Sequence, residues 1–326
     1  MKLQAAGACL MSLVLLTPAS AQFIDDPRHE GTYSIIARDP ATGELGMGVQ
    51  SKTVAAASRA PGGKGGVAIF AHQSASNPMY STVGIGLIQN GLSPKEALDF
   101  MLRGDEGRES RQVSIIDMTG RTAAFTGSAA SDWKGHECGV DFCAQGNILA
   151  GPEVVQAMAR SFRSSSGPLA ERLLAALDAA QAAGGDRRGS QSAGLLILKP
   201  LSIQGFGDRA LDLRVDEHKT PLVELRRVLG AYRARELMAE ANDRLQRGDL
   251  AGALEKALAA RDKHPDNDTP WLTIGEVQLR MGRRAEALAA LRTAVDLNAA
   301  NKSQLRRNEG LGALREDPDF LAIVRD

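Results

Sequence analysis

The order of strand-like and helix-like segments constrains the fold of this chain more than any other sequence feature. Alternating apolar residues around short turns predict one hairpin over residues 32–51 and a second over residues 113–126. Apolar residues spaced three and four apart predict four helices, over residues 79–90, 93–102, 152–161 and 169–183. A last apolar strand follows over residues 194–198. Because the strands do not alternate with helices, this order favours stacked antiparallel sheets covered by helices over a parallel doubly wound sheet.

Two stretches of the first half are expected to be irregular. Residues 62–66 read Gly-Gly-Lys-Gly-Gly and predict a flexible loop, without the Gly-Lys-Ser/Thr ending of a phosphate-binding loop. Residues 144–149 predict a short strand or a turn. We expect residues 145–147 to lie just before the helix that starts near Pro152.

A repeat begins where the strand patterns end. Residues 247–254 (RGDLAGAL) recur as residues 281–288 (MGRRAEAL), 34 positions later. This period, with small residues where paired helices approach, is typical of tetratricopeptide repeats, so residues 234–326 are predicted to form an all-α tail. Two repeats do not bury their cores alone, and residues 221–233 and 318–324 are therefore expected to cap the stack. Stacked helix pairs form a groove, which predicts a protein partner for the tail.

The first residues have the pattern of a secretory signal peptide. Lys2 precedes an apolar run over residues 10–16, and Ala19-Ser20-Ala21 supplies the small residues of a cleavage site. This predicts a periplasmic or secreted protein that does not span the membrane, since the apolar run is too short for a permanent span. The predicted organisation is a signal peptide (1–21), an N-terminal segment (22–31), an α/β domain (32–233) and the helical tail (234–326).

The charge balance and the cysteine content limit which kinds of partner and cofactor are expected. The 39 basic residues equal the 39 acidic residues and aromatic residues make up 4%, which argues against nucleic-acid binding. Once the signal peptide is removed, Cys138 and Cys143 remain, and an even number of cysteines in an exported protein favours a disulfide. The alternative is a metal site that also uses His136 and Asp141, but it lacks a second matching pair of ligands. No metal and no cofactor are expected.

Six dense motifs in the first domain carry a resemblance to a known family. They are TYSIIARD (32–39), GVQS (48–51), QSASNPMY (73–80), QGNILAGP (145–152), GGDRRGSQS (184–192) and DRALDLRVDEH (208–218). Over about residues 31–233 the chain resembles domain-of-unknown-function family 1028. That family is similar in fold to the N-terminal-nucleophile (Ntn) hydrolases. The resemblance therefore implies an α+β fold, an αββα sandwich of two antiparallel sheets between helix layers.

The resemblance points to Thr32 as a nucleophile. An Ntn hydrolase attacks an amide carbonyl with a Thr, Ser or Cys at a newly exposed chain start, whose own α-amino group (free pKa about 7.7–8.0) accepts the hydroxyl proton. Thr32 opens the first predicted strand, directly after Gly31. Family members often begin Met-Thr, whereas this chain requires a cut between Gly31 and Thr32. The alternative is an ordinary threonine at a strand start.

Other polar residues are candidates for supporting roles. The resemblance implies that Asp186 and Ser192 lie beside the nucleophile's amine, although both residue types also cap loops. The Asn147 amide, or the backbone N–H groups of residues 145–147, is a candidate for holding an oxyanion, with a turn and a helix cap as the alternative. The candidate substrate-binding residues are Ser51, His72, Asn77, Tyr80 and Arg187.

Two functions fit these observations. The first is an exported Ntn-type amidohydrolase that acts on a small amide or peptide. The second is a non-catalytic binding or scaffold protein of the cell envelope, which uses the α/β domain and the tail to contact a partner. Ntn-like folds often pair, so a homodimer is a further expectation. The mature N-terminus separates the two functions, because catalysis requires a chain that begins at Thr32 and not at Gln22.

Overall fold

The structure is a computed structural model that describes residues 31–200 and 207–325. The predicted signal peptide and residues 22–30 lie outside the described residues. The described strands are β1 (Thr32–Arg38), β2 (Leu45–Ser51), β3 (Pro61–Lys64), β4 (Ala68–Ser74), β5 (Arg111–Asp117), β6 (Thr122–Thr126), β7 (Gly135–Gly139), β8 (Phe142–Asn147), β9 (Ser192–Leu198) and β10 (Arg209–Val215). The described helices are α1 (Ala56–Arg59), α2 (Met79–Gln89), α3 (Pro94–Gly104), α4 (Glu153–Ser164), α5 (Leu169–Ala182), α6 (Pro221–Gln246), α7 (Leu250–Lys263), α8 (Thr269–Arg280), α9 (Arg284–Leu297), α10 (Asn301–Arg307) and α11 (Pro318–Val324).

The described strands form two antiparallel sheets. One has six strands in the order β10-β9-β2-β1-β8-β7, and the other has four in the order β3-β4-β5-β6. Every described neighbouring pair is antiparallel. The predicted combination of helices with antiparallel sheets is confirmed, as is the helical C-terminal region.

Alternating side chains give each sheet two buried faces. Ile36 of β1 packs with residues such as Ile69 and Ile116 of the four-stranded sheet, so these side chains fill the space between the sheets. Tyr33 and Ile35 of β1 point the other way and pack with residues of α4, α5 and α6. The outer face of the four-stranded sheet packs against α2 and α3. Because side chains alternate along a strand, Thr32 and Ser34 share the inter-sheet face with Ile36.

The local predictions differ from the structure at the Gly-rich loop and at one missed strand. Residues 61–64 form strand β3 instead of a loop, and their glycines serve close packing: a Cβ atom at Gly63 would lie 2.9 Å from the backbone oxygen of Ala68. Residues 145–147 lie in β8 and pair with β1, in agreement with the short strand or turn predicted over residues 144–149, and α4 begins at Glu153, beside the predicted start near Pro152. Strand β10 was not predicted, since its half-exposed, charged sequence hides the pairing with β9.

The two cysteines form a disulfide in the structure. Cys138 of β7 and Cys143 of β8 face each other in the strand register, so the bond closes the β7–β8 hairpin. The predicted disulfide thus ties two neighbouring strands. Among the described residues, no group of three or more His, Cys, Asp or Glu side chains is arranged to hold a metal ion.

The helical region begins inside a long helix. Helix α6 has 26 residues, and the predicted domain boundary at 233/234 lies within it. Its first half contributes Leu225 and Leu229 to the core of the α/β domain, whereas Ala234 and Met238 pack with α7 and α8. Helices α7 and α9 each have 14 residues and begin 34 positions apart. None of the described helices is both long and apolar enough to cross a membrane.

Candidate active site

Four buried polar residues form a row across one end of the six-stranded sheet. Thr32 of β1 pairs in register with Asn147 of β8 on one side and with Ser51 of β2 on the other, and Ser51 pairs with Ser192 of β9. All four are at most 3% exposed. Residues opposite one another on one face of a sheet have neighbouring side chains. The strand register therefore gathers residues that are up to 160 positions apart in the chain.

The carbonyl oxygen of Gly31 accepts two side-chain hydrogen bonds. Ser51 Oγ donates to it at 2.5 Å, and Arg188 Nη2 donates at 2.9 Å. Thr32 Oγ1 in turn donates to Ser51 Oγ at 3.1 Å. A continuous hydrogen-bond chain thus connects the Thr32 hydroxyl to the carbonyl of the peptide bond that precedes Thr32.

A partly buried ion pair holds the Arg188 guanidinium in this position. The Asp186 carboxylate accepts hydrogen bonds from Arg188 Nε at 3.1 Å and Arg188 Nη2 at 2.8 Å. It also accepts the backbone N–H groups of Arg188 at 2.9 Å and Lys52 at 3.3 Å. The Asp186 side chain is 0% exposed and that of Arg188 is 24% exposed. Asp186 therefore acts on Gly31 through Arg188, by orienting the donor.

The neighbouring arginine points elsewhere. Arg187 Nη2 donates to the backbone oxygen of Asp132 at 3.0 Å. The structure thus brings Arg188, and not the predicted Arg187, to the Gly31–Thr32 peptide bond. The Gly-Asp-Arg-Arg motif indicated a site here, but only the three-dimensional course of the loop separates the two guanidinium groups.

A network of amide side chains fixes the other side of Thr32. Gln73 Nε2 donates to the Thr32 backbone oxygen at 2.9 Å and to Gln112 Oε1 at 2.8 Å. Asn147 Nδ2 donates to the same Gln112 oxygen at 3.1 Å. The Asn147 amide is therefore directed at Gln112 and not at the Gly31 oxygen. Its Oδ1 atom is buried with no hydrogen-bond partner among the described residues.

Gln73 and Gln112 were not predicted as site residues. Both are buried on strands that also carry several buried apolar residues, β4 and β5. A glutamine beside apolar residues of a predicted strand is the sequence signal that could have indicated them, since a buried polar group requires partners.

Ser192 belongs to the row but not to the hydrogen-bond chain. Its Oγ donates to the backbone oxygen of Thr53 at 2.5 Å and accepts the Ala56 N–H at 3.1 Å. These bonds anchor the loop that leads into α1. In this structure Ser192 therefore has a loop-fixing role, and Ser51 is the hydroxyl next to Thr32.

Three predicted substrate-binding residues lie on the outer side of the four-stranded sheet. His72 follows Phe70 on β4 by two positions and so shares its face, toward α2. Its Nδ1 lies 2.8 Å from Ser76 Oγ and its Nε2 lies 3.3 Å from Ser81 Oγ, and burial lowers the pKa of His72 to about 4. The structure does not bring this side chain to Thr32.

Asn77 and Tyr80 accompany His72 on that outer side. Asn77 Oδ1 accepts the Met79 N–H at 3.0 Å, so it fixes the start of α2. Tyr80 donates its hydroxyl to Asp105 at 3.0 Å, and burial raises the pKa of Tyr80. Both residues also line a surface cleft of about 270 Å³ between α2 and α3. This cleft is separate from the row that contains Thr32.

Comparison with known proteins gives a family without an assigned activity. The model described as "Family of unknown function (DUF1028)" matches residues 32–225, so the match starts at Thr32 and ends within α6. A crystal structure of a DUF1028 protein from Silicibacter pomeroyi is similar, with 31% sequence identity and a TM-score of 0.56. That alignment covers 61% of this chain and 88% of the other. No curated protein matches the chain.

Proposed function

We infer the function of this chain from the premise that it belongs to the DUF1028 family, and we propose that it is an exported Ntn-type amidohydrolase. Thr32 is the proposed nucleophile, and a small amide or peptide is the proposed substrate. The helix–sheet–sheet–helix layering supports this proposal, because it is similar to the αββα sandwich of Ntn hydrolases. In that fold the nucleophile opens a strand and faces the opposite sheet, as Thr32 does at the start of β1.

The observation that carries the proposal is the hydrogen-bond chain from Thr32 through Ser51 to the Gly31 oxygen. In the proposed self-cleavage, Thr32 Oγ1 adds to the Gly31 carbonyl carbon. Ser51 Oγ accepts the Thr32 proton while it gives its own proton to the carbonyl oxygen. Arg188 donates to the same oxygen and stabilises the partial negative charge that it carries until the proton arrives.

The remaining steps restore Ser51 and create the new chain start. The carbon–nitrogen bond breaks as the proton returns through Ser51 to the Thr32 nitrogen, which becomes an amine. This leaves an ester between the Gly31 carbonyl and Thr32 Oγ1. Water then hydrolyses the ester and releases a carboxylate at Gly31. The overall reaction consumes one water molecule and requires no metal, cofactor or histidine.

The exposed amine completes the proposed catalytic group. With a free pKa of about 7.7–8.0, an α-amino group accepts a hydroxyl proton near neutral pH. Thr32 Oγ1 then attacks a substrate amide, forms an acyl-enzyme and is released by water. Departure of the residues before Thr32 opens space, since Thr32 is 3% exposed while Gly31 is attached.

The proposed location and partners of the protein rest on its N-terminal and C-terminal segments. We propose that residues 1–21 direct export to the periplasm or the medium. The C-terminal helices are proposed to be tetratricopeptide-like, and the 34-position offset between the starts of α7 and α9 supports this assignment. Their proposed role is to hold a protein partner, and a homodimer through the α/β domain remains part of the proposal.

Mass spectrometry of the exported protein tests the proposal. We expect a mature chain that begins at Thr32, and we expect Thr32→Ala to abolish the cut. Ser51→Ala removes the relay hydroxyl and one oxyanion donor, so cleavage should slow by about 10²–10³-fold. Ser114→Ala is the matched control, because Ser114 Oγ is buried between strands without a hydrogen-bond partner among the described residues.

Three results would contradict the proposal. If the exported wild-type chain begins at Gln22 and still hydrolyses amides, Thr32 is not the nucleophile. If it begins at Gln22 and hydrolyses none, the non-catalytic binding function gains support. Cleavage that survives in Thr32→Ala would show that another protease makes the cut.

A further inference from the structure

The glycine before Thr32 occupies the place of an acyl group in the proposed reaction. Self-cleavage passes through an ester in which the Gly31 carbonyl is bonded to Thr32 Oγ1. An acyl-enzyme formed from an external substrate has the same connectivity, a carbonyl on Thr32 Oγ1 followed by an α-carbon. The donors Ser51 and Arg188 that hold the Gly31 oxygen are available to both esters. The atoms around the Gly31 α-carbon therefore describe the acyl subsite.

Those atoms leave no room for an L-configured substituent. A Cβ atom at position 31 would lie 2.8 Å from each of Arg188 Nη2, Asp186 Oδ2 and Ile148 Cβ. The first two atoms belong to the Asp186–Arg188 ion pair and are held by the hydrogen bonds within it. Three contacts at this distance converge on one position, so an added methyl group forces several of its neighbours to move.

The third contact is the most rigid, because it belongs to an atom next to the backbone. Ile148 has φ of 53°, a left-handed conformation that is a genuine outlier for a β-branched residue. Two backbone hydrogen bonds hold it there, from its N–H to Ser131 at 3.1 Å and from the Arg187 N–H to its oxygen at 2.9 Å. Strained residues of this kind persist only where the surrounding structure determines them, and they cluster at functional sites.

We propose that this site selects substrates whose acyl side is glycyl, or another unbranched group with a CH₂ next to the carbonyl, and rejects L-configured α-substituents. This inference rests on the proposed function of Thr32 as an acyl acceptor, and it adds the chemical class of the substrate. Ile148 is a specificity-determining residue in this proposal, because its Cβ forms one wall of the subsite.

The test uses two activated esters with the processed protein that begins at Thr32. The p-nitrophenyl esters of N-acetylglycine and N-acetyl-L-alanine differ by one methyl group at the α-carbon. Nitrophenol release gives the rates, and peptide mapping by mass spectrometry locates the acyl group. We expect Thr32 to be acylated by the glycyl ester about tenfold or more faster, since overpacking by one methyl group in a rigid site is strongly unfavourable.

A variant assigns the selectivity to the wall. Ile148→Gly removes the most rigid of the three contacts and leaves two to the ends of side chains, and glycine adopts a positive φ without steric cost. We expect this variant to accept the L-alanyl ester better and to reduce the preference to about threefold or less. The control is Val140→Gly, a β-branched residue that is 85% exposed in the β7–β8 turn, which should keep the wild-type preference.

The outcomes separate the inference from the function on which it rests. Equal acylation of Thr32 by both esters would overturn the proposed selectivity and leave Thr32 as a nucleophile. Absence of acylation at Thr32 with either ester would overturn the proposed function, and the inference with it. A wild-type preference that persists in Ile148→Gly would refute the role assigned to Ile148.

Discussion

Removal of the Asp186 carboxylate is expected to destabilise the protein and to release Arg188 from the Gly31 oxygen. Four N–H groups converge on this carboxylate, two from the Arg188 side chain and two from the backbone of Arg188 and Lys52. A hydrogen bond to a charged group contributes about 1.5–3 kcal/mol, and breaking a buried ion pair by removing one partner costs about 3–5 kcal/mol. Because Arg188 is 24% exposed and water screens its remaining charge, we expect about 3 kcal/mol for Asp186→Ala.

A double-mutant cycle measures this contribution. Asp186→Ala, Arg188→Met and the double variant are compared by urea unfolding, all in a Thr32→Ala background that keeps Gly31 attached. We expect about 2 kcal/mol for Arg188→Met alone and about 3 kcal/mol for the double variant, which corresponds to a coupling of about 2 kcal/mol. The control cycle pairs Asp186→Ala with Arg187→Met, because Arg187 contacts Asp132 instead.

The result that refutes this reasoning is equally specific. Effects that add within about 0.5 kcal/mol for the Asp186–Arg188 pair would show that the ion pair does not hold the loop. Equal couplings for Arg187 and Arg188 would show that the two guanidinium groups are not distinguished in solution. Either result removes the basis for assigning Arg188 to the Gly31 carbonyl.

Three further predictions concern the stability of the fold, each measured by urea unfolding. Gly275→Ala places a Cβ 2.5 Å from a side chain of α9, so we expect it to lower the free energy of unfolding by about 1 kcal/mol, net of its gain in helix propensity. Gly86→Ala, with no described atom within 4 Å, should instead raise it by about 1 kcal/mol. The reverse order would contradict the close approach of α8 and α9. The pKa of His72 is about 4, against an ordinary 6.5, so the unfolded chain takes up the proton at a higher pH than the folded chain does, and stability should fall as the pH falls from 6.5 to 4. We expect His72→Gln to flatten this decline. An unchanged slope in the variant would show that other groups cause the decline. Replacing both Cys138 and Cys143 by alanine should cost about 2 kcal/mol, as expected for a loop with a sequence separation of 5; no loss under oxidising conditions would show that the bond does not form.

Local sequence signals were sufficient for much of the fold. The helix predicted over residues 93–102 corresponds to α3, and the structure has a complete capping box at its start between Ser93 and Glu96. The hairpin of β5 and β6 was also predicted from local sequence, because Thr119 and Gly120 lie in its turn. Strand β10 was missed for two reasons. It is a charged edge strand without a clear alternation of apolar residues, and a connection of several residues separates it from its partner β9.

The candidate site was predictable residue by residue but not as an arrangement. Thr32 and Ser51 were each indicated by a motif, yet their contact depends on the register of β1 against β2. A register shift of one residue would place one of the two side chains on the opposite face of the sheet. The same alternation explains His72, whose position two residues after Phe70 already directs it to the outer face. Nothing local distinguishes Arg188 from Arg187, since the choice between them depends on the buried Asp186.

The continuity of α6 has a mechanical consequence. One helix of 26 residues contributes its first half to the α/β core and its second half to the C-terminal helices, with no hinge between Leu229 and Ala234. A partner that binds the C-terminal helices would therefore keep a fixed orientation relative to Thr32, the proposed nucleophile. Truncation at position 233 would cut α6 in the middle, so the α/β domain is best expressed with the whole of this helix.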